Sequence, residues 1–134
     1  MKYLLNTDIC IYLIKKKPPQ VLQKLTSLPT TDIAISVVTL FELKFGIEHS
    51  HQPKKAEQAL NYFVQSIPYI LPMDEVAAAH SAKVRADLKA KGTPIGTYDT
   101  LIAGIAMANN MILVSNNTRE FARVEGLKLD NWAG

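Results

Sequence analysis

Four acids stand at or near the start of a helical period in this chain: Asp8, Glu42, Asp99 and Glu120. Other oxygen donors accompany them. Asn6 and Thr7 precede Asp8, Thr39 precedes Glu42, and Ser115, Asn116 and Asn117 precede Glu120. Carboxylates gathered in one place repel one another and raise one another's pKa. A divalent cation removes that conflict, and Mg²⁺ takes carboxylate and amide oxygens plus waters, with only one or two direct carboxylates as a rule. With a phosphate present, such a site activates water and steadies the departing oxygen.

Taken singly, each acid also has an architectural explanation. Asp8 would serve as a helix N-cap, Thr39-x-x-Glu42 reads as a capping box, and Asn117-x-x-Glu120 resembles one. Asp99 would favour the positive end of its helix. Asp74 is expected to be an N-cap with no chemistry. The metal reading rests on the set, and so on whether the fold gathers it. Competing chemistries have little support. His49-x-His51 has no further ligand nearby and reads as surface, His80 falls inside a long helix, and the single Cys10 lies among apolar helix residues. No Gly-x-Gly-x-x-Gly, P-loop or Gly-x-Ser-x-Gly is present, which argues against a nucleotide cofactor and a serine-hydrolase elbow.

The elements that must position the acids can be read from the apolar pattern. Strands are predicted at Lys2–Asn6, Asp32–Val38, Tyr69–Leu71 and Met111–Val114, with an edge strand at Leu127–Leu129. Helices are predicted at Ile9–Lys16, from Pro19 through Leu25, at Thr39–His49, Ala56–Ser66, Asp74–Lys91, Thr97–Asn109 and Thr118–Arg123. In Asp74–Lys91 the inward face is expected to carry Val76, Ala79, Ala82, Val84 and Leu88, and Gly92 should cap its end. Thr97–Asn109 is apolar almost all round, so it should be central. Strands alternating with helices give an α/β fold, a three-layer α/β/α sandwich around a mainly parallel twisted sheet. Such folds bind ligands at the C-terminal edge of the strands, near the switch in strand order, where these acids would converge.

Length and composition agree. The 134 residues fit one domain, residues 1–134, with 48% apolar and 20% charged side chains. One cysteine excludes an internal disulfide and fits a reducing, cytoplasmic setting. No apolar run approaches a membrane helix. A net charge of +3 permits a nucleic-acid partner without demanding one.

Four segments in order resemble the PIN-domain nucleases, specifically the VapC-type toxins of bacterial toxin–antitoxin pairs. They are Leu4-Leu5-Asn6-Thr7-Asp8-Ile9-Cys10-Ile11-Tyr12, Ser36 through Gly46, Gly92 through Ala103, and Val114-Ser115-Asn116-Asn117-Thr118-Arg119-Glu120-Phe121. The resemblance runs on to Asp130-Asn131-Trp132. It implies a PIN-like fold and an endoribonuclease dependent on Mg²⁺ or Mn²⁺ that cuts structured RNA such as tRNA. It also implies a homodimer and a cognate VapB-type antitoxin laid across the site. By position, Glu42 and Asp99 match the family's second and third acids and Asn117 its fourth position. Glu120 matches a supporting acid, and Ser115 stands where Thr or Ser usually does.

The first motif departs from the family. The family reads Leu-Asp-Thr-Asn; here Leu5-Asn6-Thr7-Asp8 exchanges Asp and Asn. Asn6 can offer a neutral oxygen but no charge. Either Asp8 substitutes for the missing acid, directly or through water, or the site is impaired while the fold and antitoxin binding persist. The expected metal shell is therefore Asp99 and Glu42 with Asn6 and Asp8; Asn117 adds to the catalytic set, and Glu120, Ser115 and Thr7 support it. For RNA, Lys83, Arg85, Lys89 and Lys91, with Arg119 and Arg123, form a candidate phosphate track, and Tyr98 is the one candidate for base stacking. The other readings are a PIN-like binding module that does not cleave and, more remotely, a metal-dependent phosphatase or receiver-like domain.

Overall fold

The computed structural model describes residues 1–134. Five short strands form one sheet in the order β3-β2-β1-β4-β5: β1 (Tyr3–Leu5), β2 (Ile33–Ser36), β3 (Tyr69–Leu71), β4 (Ile112–Val114) and β5 (Lys128–Asp130). Every pairing is parallel, with Leu4 opposite Ala34 on one side and Leu113 on the other. The helices are α1 (Thr7–Lys15), α2 (Pro19–Thr26), α3 (Val37–Glu48), α4 (Pro53–Ser66), α5 (Glu75–Ala90), α6 (Thr97–Ala108) and α7 (Thr118–Phe121).

Strand alternation builds the layers. Tyr3 and Leu5 of β1, with Ile33 and Ile35 of β2, enter a core shared with Ile9, Leu13, Val21, Leu60 and Phe63 from α1, α2 and α4. Leu4, Ala34 and Leu113 point the other way, into a core with Val84, Leu88, Ile102, Ile105 and Phe121 from α5, α6 and α7. The sheet is thus covered on both faces, as an all-parallel sheet requires. The chain adds strands on one side of β1, then crosses to the other side for β4 and β5. The switch in strand order falls between β1 and β4.

Several boundaries differ from the sequence reading. The second strand stops at Ser36, and Val37 and Val38 form the first turn of α3 although both are β-branched. Ser36 is the N-cap: its Oγ accepts the Thr39 N–H at 3.0 Å. The inward face of α5 is Ala77, Ser81, Val84 and Leu88; Val76 is 56% exposed, and Ala79 and Ala82 also face out. Small residues decide this, because α5 and α6 approach closely where Ser81 meets Gly104. In α3, Leu43 is buried but Phe45 is not. Other expectations agree: α6 is buried on most sides, Asp74 caps α5 by accepting the Ala77 N–H at 2.9 Å, and Gly92 follows α5 at φ +69°.

Candidate active site

At the switch point the ends of β1 and β4 lie side by side. The Asn6 N–H donates to the Val114 carbonyl at 2.9 Å, which seats Asn6 next to Ser115. Asn6 is 5% exposed, and its Nδ2 donates to Ser115 Oγ at 3.2 Å. Its Oδ1 is buried with no hydrogen-bond partner. Asp8 is not the N-cap of α1; Asn6 holds that position, without a side-chain capping bond. Both Asp8 oxygens are engaged: Oδ1 accepts the Ile9 N–H at 2.8 Å, and Oδ2 accepts the Asn116 N–H at 2.9 Å and the Ser115 hydroxyl at 3.3 Å.

On the β2 side, Ser36 takes the capping role that Thr39 would have had, which leaves Glu42 free of any cap. Glu42 instead accepts from Thr7 Oγ at 2.7 Å, and the Thr39 hydroxyl lies 3.1 Å from the Thr7 hydroxyl. Thr7 has a single hydroxyl proton. With that proton given to Glu42, Thr39 donates to Thr7, a two-step relay that aims the carboxylate.

Asp99 enters from the first turn of α6. Glu120 approaches from α7, where its Oε1 accepts the Gly96 N–H at 2.9 Å and its Oε2 accepts from Asn117 Nδ2. The Asn117 side chain makes no capping bond, so the apparent Asn117-x-x-Glu120 box is a side-chain pair. Partial burial, followed by the charges of Glu120 and Glu42, a hydrogen bond with Glu120 and the charge of Asp8, pushes the Asp99 carboxyl up to about 7. Glu120, Glu42 and Asp8, from separate stretches of chain, all lie near enough to act on the Asp99 carboxyl at this edge of the sheet. Cys10, buried among apolar side chains, has its thiol pushed up by burial and is inert.

No three Asp, Glu, His or Cys side chains converge into a ready-made cation cage. The donor set nevertheless fits a hard cation that keeps several waters. Asp99 and Glu42 supply charge, and the bare, buried Asn6 Oδ1 is the kind of orphan acceptor a cation satisfies.

Most of the candidate basic residues line two neighbouring clefts, both walled by Leu88. Lys83, Lys91 and Arg123 line a cleft of about 320 Å³ with His80, Asp87 and Glu125. Arg85 and Lys89 line another, of about 150 Å³, with Pro94, Ile95, Thr97 and Thr100, beside the start of α6. Arg119 is exposed on α7, and Arg123 Nη1 donates to the Pro94 carbonyl at 3.1 Å. Tyr98 is 46% exposed and meets Phe41 edge to face at 5.4 Å; Phe41 in turn stacks on Phe45. The Thr7–Thr39 relay and this aromatic ridge are absent from the sequence reading. Only the ridge left a signal there: Phe41 and Tyr98 immediately precede Glu42 and Asp99.

An acid cluster over the switch point of a five-stranded parallel sheet, with helices on both faces, defines the class: residues 3–127 match the PIN domain family, and the chain belongs to it. Within that family its relatives are VapC proteins. It is 41% identical over 133 residues to the tRNA(fMet)-specific endonuclease VapC of Shigella flexneri, covering 99% of each chain. It is 38% identical over 132 residues to the protein of the same name in Salmonella typhimurium, covering 98% of each. Among solved structures, DNA-bound VapBC from Salmonella typhimurium matches with a TM-score of 0.92 at 38% identity over 98% of each chain. VapBC-1 from nontypeable Haemophilus influenzae matches with a TM-score of 0.88 at 30% identity over the whole of both chains.

Proposed function

We propose that this chain is a Mg²⁺- or Mn²⁺-dependent endoribonuclease toxin that cuts structured RNA of the tRNA kind and is held in check by a VapB-type antitoxin. The carrying observation is the placement of acids at one sheet edge, where Asp8 bonds Ser115, Glu42 bonds Thr7, and Glu120 bonds Gly96 at the start of the helix that carries Asp99, beside the unpartnered Asn6 Oδ1. The relatives named as endonucleases, and the VapBC complexes among similar structures, support the same reading.

Asp99, Glu42 and Asn6 would hold the cation, which when bound activates a water and offsets charge on the departing oxygen. Thr7 and Thr39 orient Glu42. Glu120 fixes the Gly96 backbone and so the start of α6 that carries Asp99. Asn117 holds Glu120 in place.

The test is cleavage of a tRNA by the antitoxin-free protein, with Mg²⁺ or Mn²⁺ against chelator. Asp99→Ala should abolish cleavage without unfolding the domain. Wild-type cleavage by that variant, or full activity in chelator, would remove the reading.

One observation favours a second reading, an impaired module that binds antitoxin without cutting: the position of the family's first acid is neutral, and both Asp8 oxygens are engaged elsewhere. Comparing the chain with its Asn6→Asp/Asp8→Asn reversion separates the two. Cleavage only by the reverted chain supports impairment, and equal cleavage removes it.

A homodimer is also proposed. Val37, Phe41, Phe45 and Tyr98 expose a continuous apolar ridge along α3 and the start of α6. Phe45→Asp should shift the sedimentation mass to that of a monomer. No helix of the chain is long and apolar enough to cross a membrane.

A further inference from the structure

The exchange of Asp and Asn in the first motif raises the question of what Asp8 does for Asn6, and the hydrogen bonds around Ser115 answer it. Ser115 Oγ is fully buried and has one proton and two lone pairs. The Asn117 N–H takes one lone pair at 2.9 Å, and Asn6 Nδ2 takes the other at 3.2 Å. The proton is left for Asp8 Oδ2 at 3.3 Å. As a carboxylate Asp8 can only accept, so it claims that proton. With its proton committed, Ser115 can only accept from Asn6. The Asn6 amide must then present its NH₂ to Ser115 and leave its oxygen bare, as observed for Oδ1. The opposite amide orientation would set two acceptors against each other and turn NH₂, a donor, toward any cation.

We infer that Asp8 is a positioning residue: acting through Ser115, it sets the Asn6 amide so that Asn6 offers an oxygen, where the missing acid would have offered a carboxylate. The inference rests on the metal reading above. It assigns the exchanged pair a joint role in which Asp8 need not touch the cation. In this chain the neutral ligand is usable only because the acid two residues on orients it. An aspartate at position 6 would need no such help, since its two oxygens are equivalent.

The experiment is a set of Mn²⁺ titrations by calorimetry, with thermal melts to verify that each variant folds. Ser115→Ala should weaken Mn²⁺ binding roughly tenfold or more, the usual scale for loss of a ligand-orienting group, although Ser115 is not itself a ligand. Ser115→Thr, which keeps the hydroxyl, should restore binding. In the Asn6→Asp background, Ser115→Ala should change affinity by no more than about twofold, because the coupling disappears. If Ser115→Ala does not fold, Asp8→Asn carries the same comparison: it should cost affinity beside Asn6 and little beside Asn6→Asp.

Wild-type Mn²⁺ affinity in Ser115→Ala would overturn the inference. So would an equal loss from Asp8→Asn in both backgrounds, which would make Asp8 a ligand. Absence of Mn²⁺ binding in both the wild type and Asn6→Asp would instead overturn the metal reading, and this inference with it.

Discussion

Thr7 Oγ lies 2.7 Å from Oε1 of Glu42, joining the first turn of α1 to the second turn of α3 across the sheet edge. Neither helix could aim that carboxylate alone. Glu42 is on a helix that begins where β2 ends, and Thr7 follows β1, so the bond exists only because β1 and β2 are neighbours.

Thr7→Val, which keeps the shape and removes the hydroxyl, should therefore reduce RNA cleavage by about tenfold or more through misplacement of Glu42. Its effect on stability should be about 1 kcal/mol, the net scale of one hydrogen bond. Thr7→Ser should keep most activity. Single-turnover rates beside thermal melts would check this, and an unchanged rate in Thr7→Val would contradict it.

Asp99 should make the metal-free fold sensitive to pH. Its carboxyl stands at about 7 in the folded chain against an ordinary 3.8, chiefly through burial and then the Glu120 and Glu42 charges. Between those values the folded chain holds a proton that the unfolded chain has released. The stabilisation is complete below about pH 4 and is lost as pH rises through about 7. Metal-free protein should lose more melting temperature between pH 5 and pH 8 than Asp99→Asn does. Mn²⁺ added at pH 8 should restore it in the wild type by binding the folded state. Parallel pH profiles for the two proteins would refute the assignment.

Gly104 should tolerate no side chain. A Cβ there would lie 1.8 Å from Ser81 Oγ and 2.8 Å from both the Ala77 carbonyl oxygen and the Ser81 nitrogen. Gly104→Ala should destabilise the domain by about 1–3 kcal/mol, the range for overpacking, against the gain alanine usually brings to a helix. Adding Ser81→Ala should recover only part of this, because the backbone atoms of α5 remain. Denaturant melts of the three proteins would measure it.

On the proposed nuclease reading, Arg85 and Lys89, which line a cleft with Thr97 and Thr100 at the start of α6, should contact RNA phosphates. Lys83 lines a different cleft, together with the acids Asp87 and Glu125. Arg85→Ala and Lys89→Ala should each lower the log–log salt slope of RNA binding by roughly 0.7–0.9, and Lys83→Ala by less. Fluorescence anisotropy over a salt series would show the order.

Much of the fold was legible because a parallel sheet buries both faces of its strands and leaves apolar runs of unmistakable kind. Ile33 to Val38 shows where that signal fails. Val37 and Val38 continue the β-branched run, yet the chain turns helical after Ser36, because the Ser36 hydroxyl captures the Thr39 N–H. The face of α5 was misread for a related reason. Periodicity locates an apolar stripe, but the close approach of Ser81 to Gly104 selected Ala77 and Ser81 over Val76 and Ala79.

The order of residues by itself determined the alternation of strands and helices, the two-sided core and the location of each acid just past a strand or at a helix start, since these follow from local pattern and period. The tertiary structure alone decided which acids act together and which way each polar group turns. Glu42 lost its capping role to Ser36, Asp8 was committed to Ser115 and Asn116, and Asn6 was left with a bare oxygen. The physical reason is that a hydroxyl or amide has few protons to give. Where they go depends on partners more than a hundred residues away, as between Asn6 and Ser115, which only chain packing brings within reach.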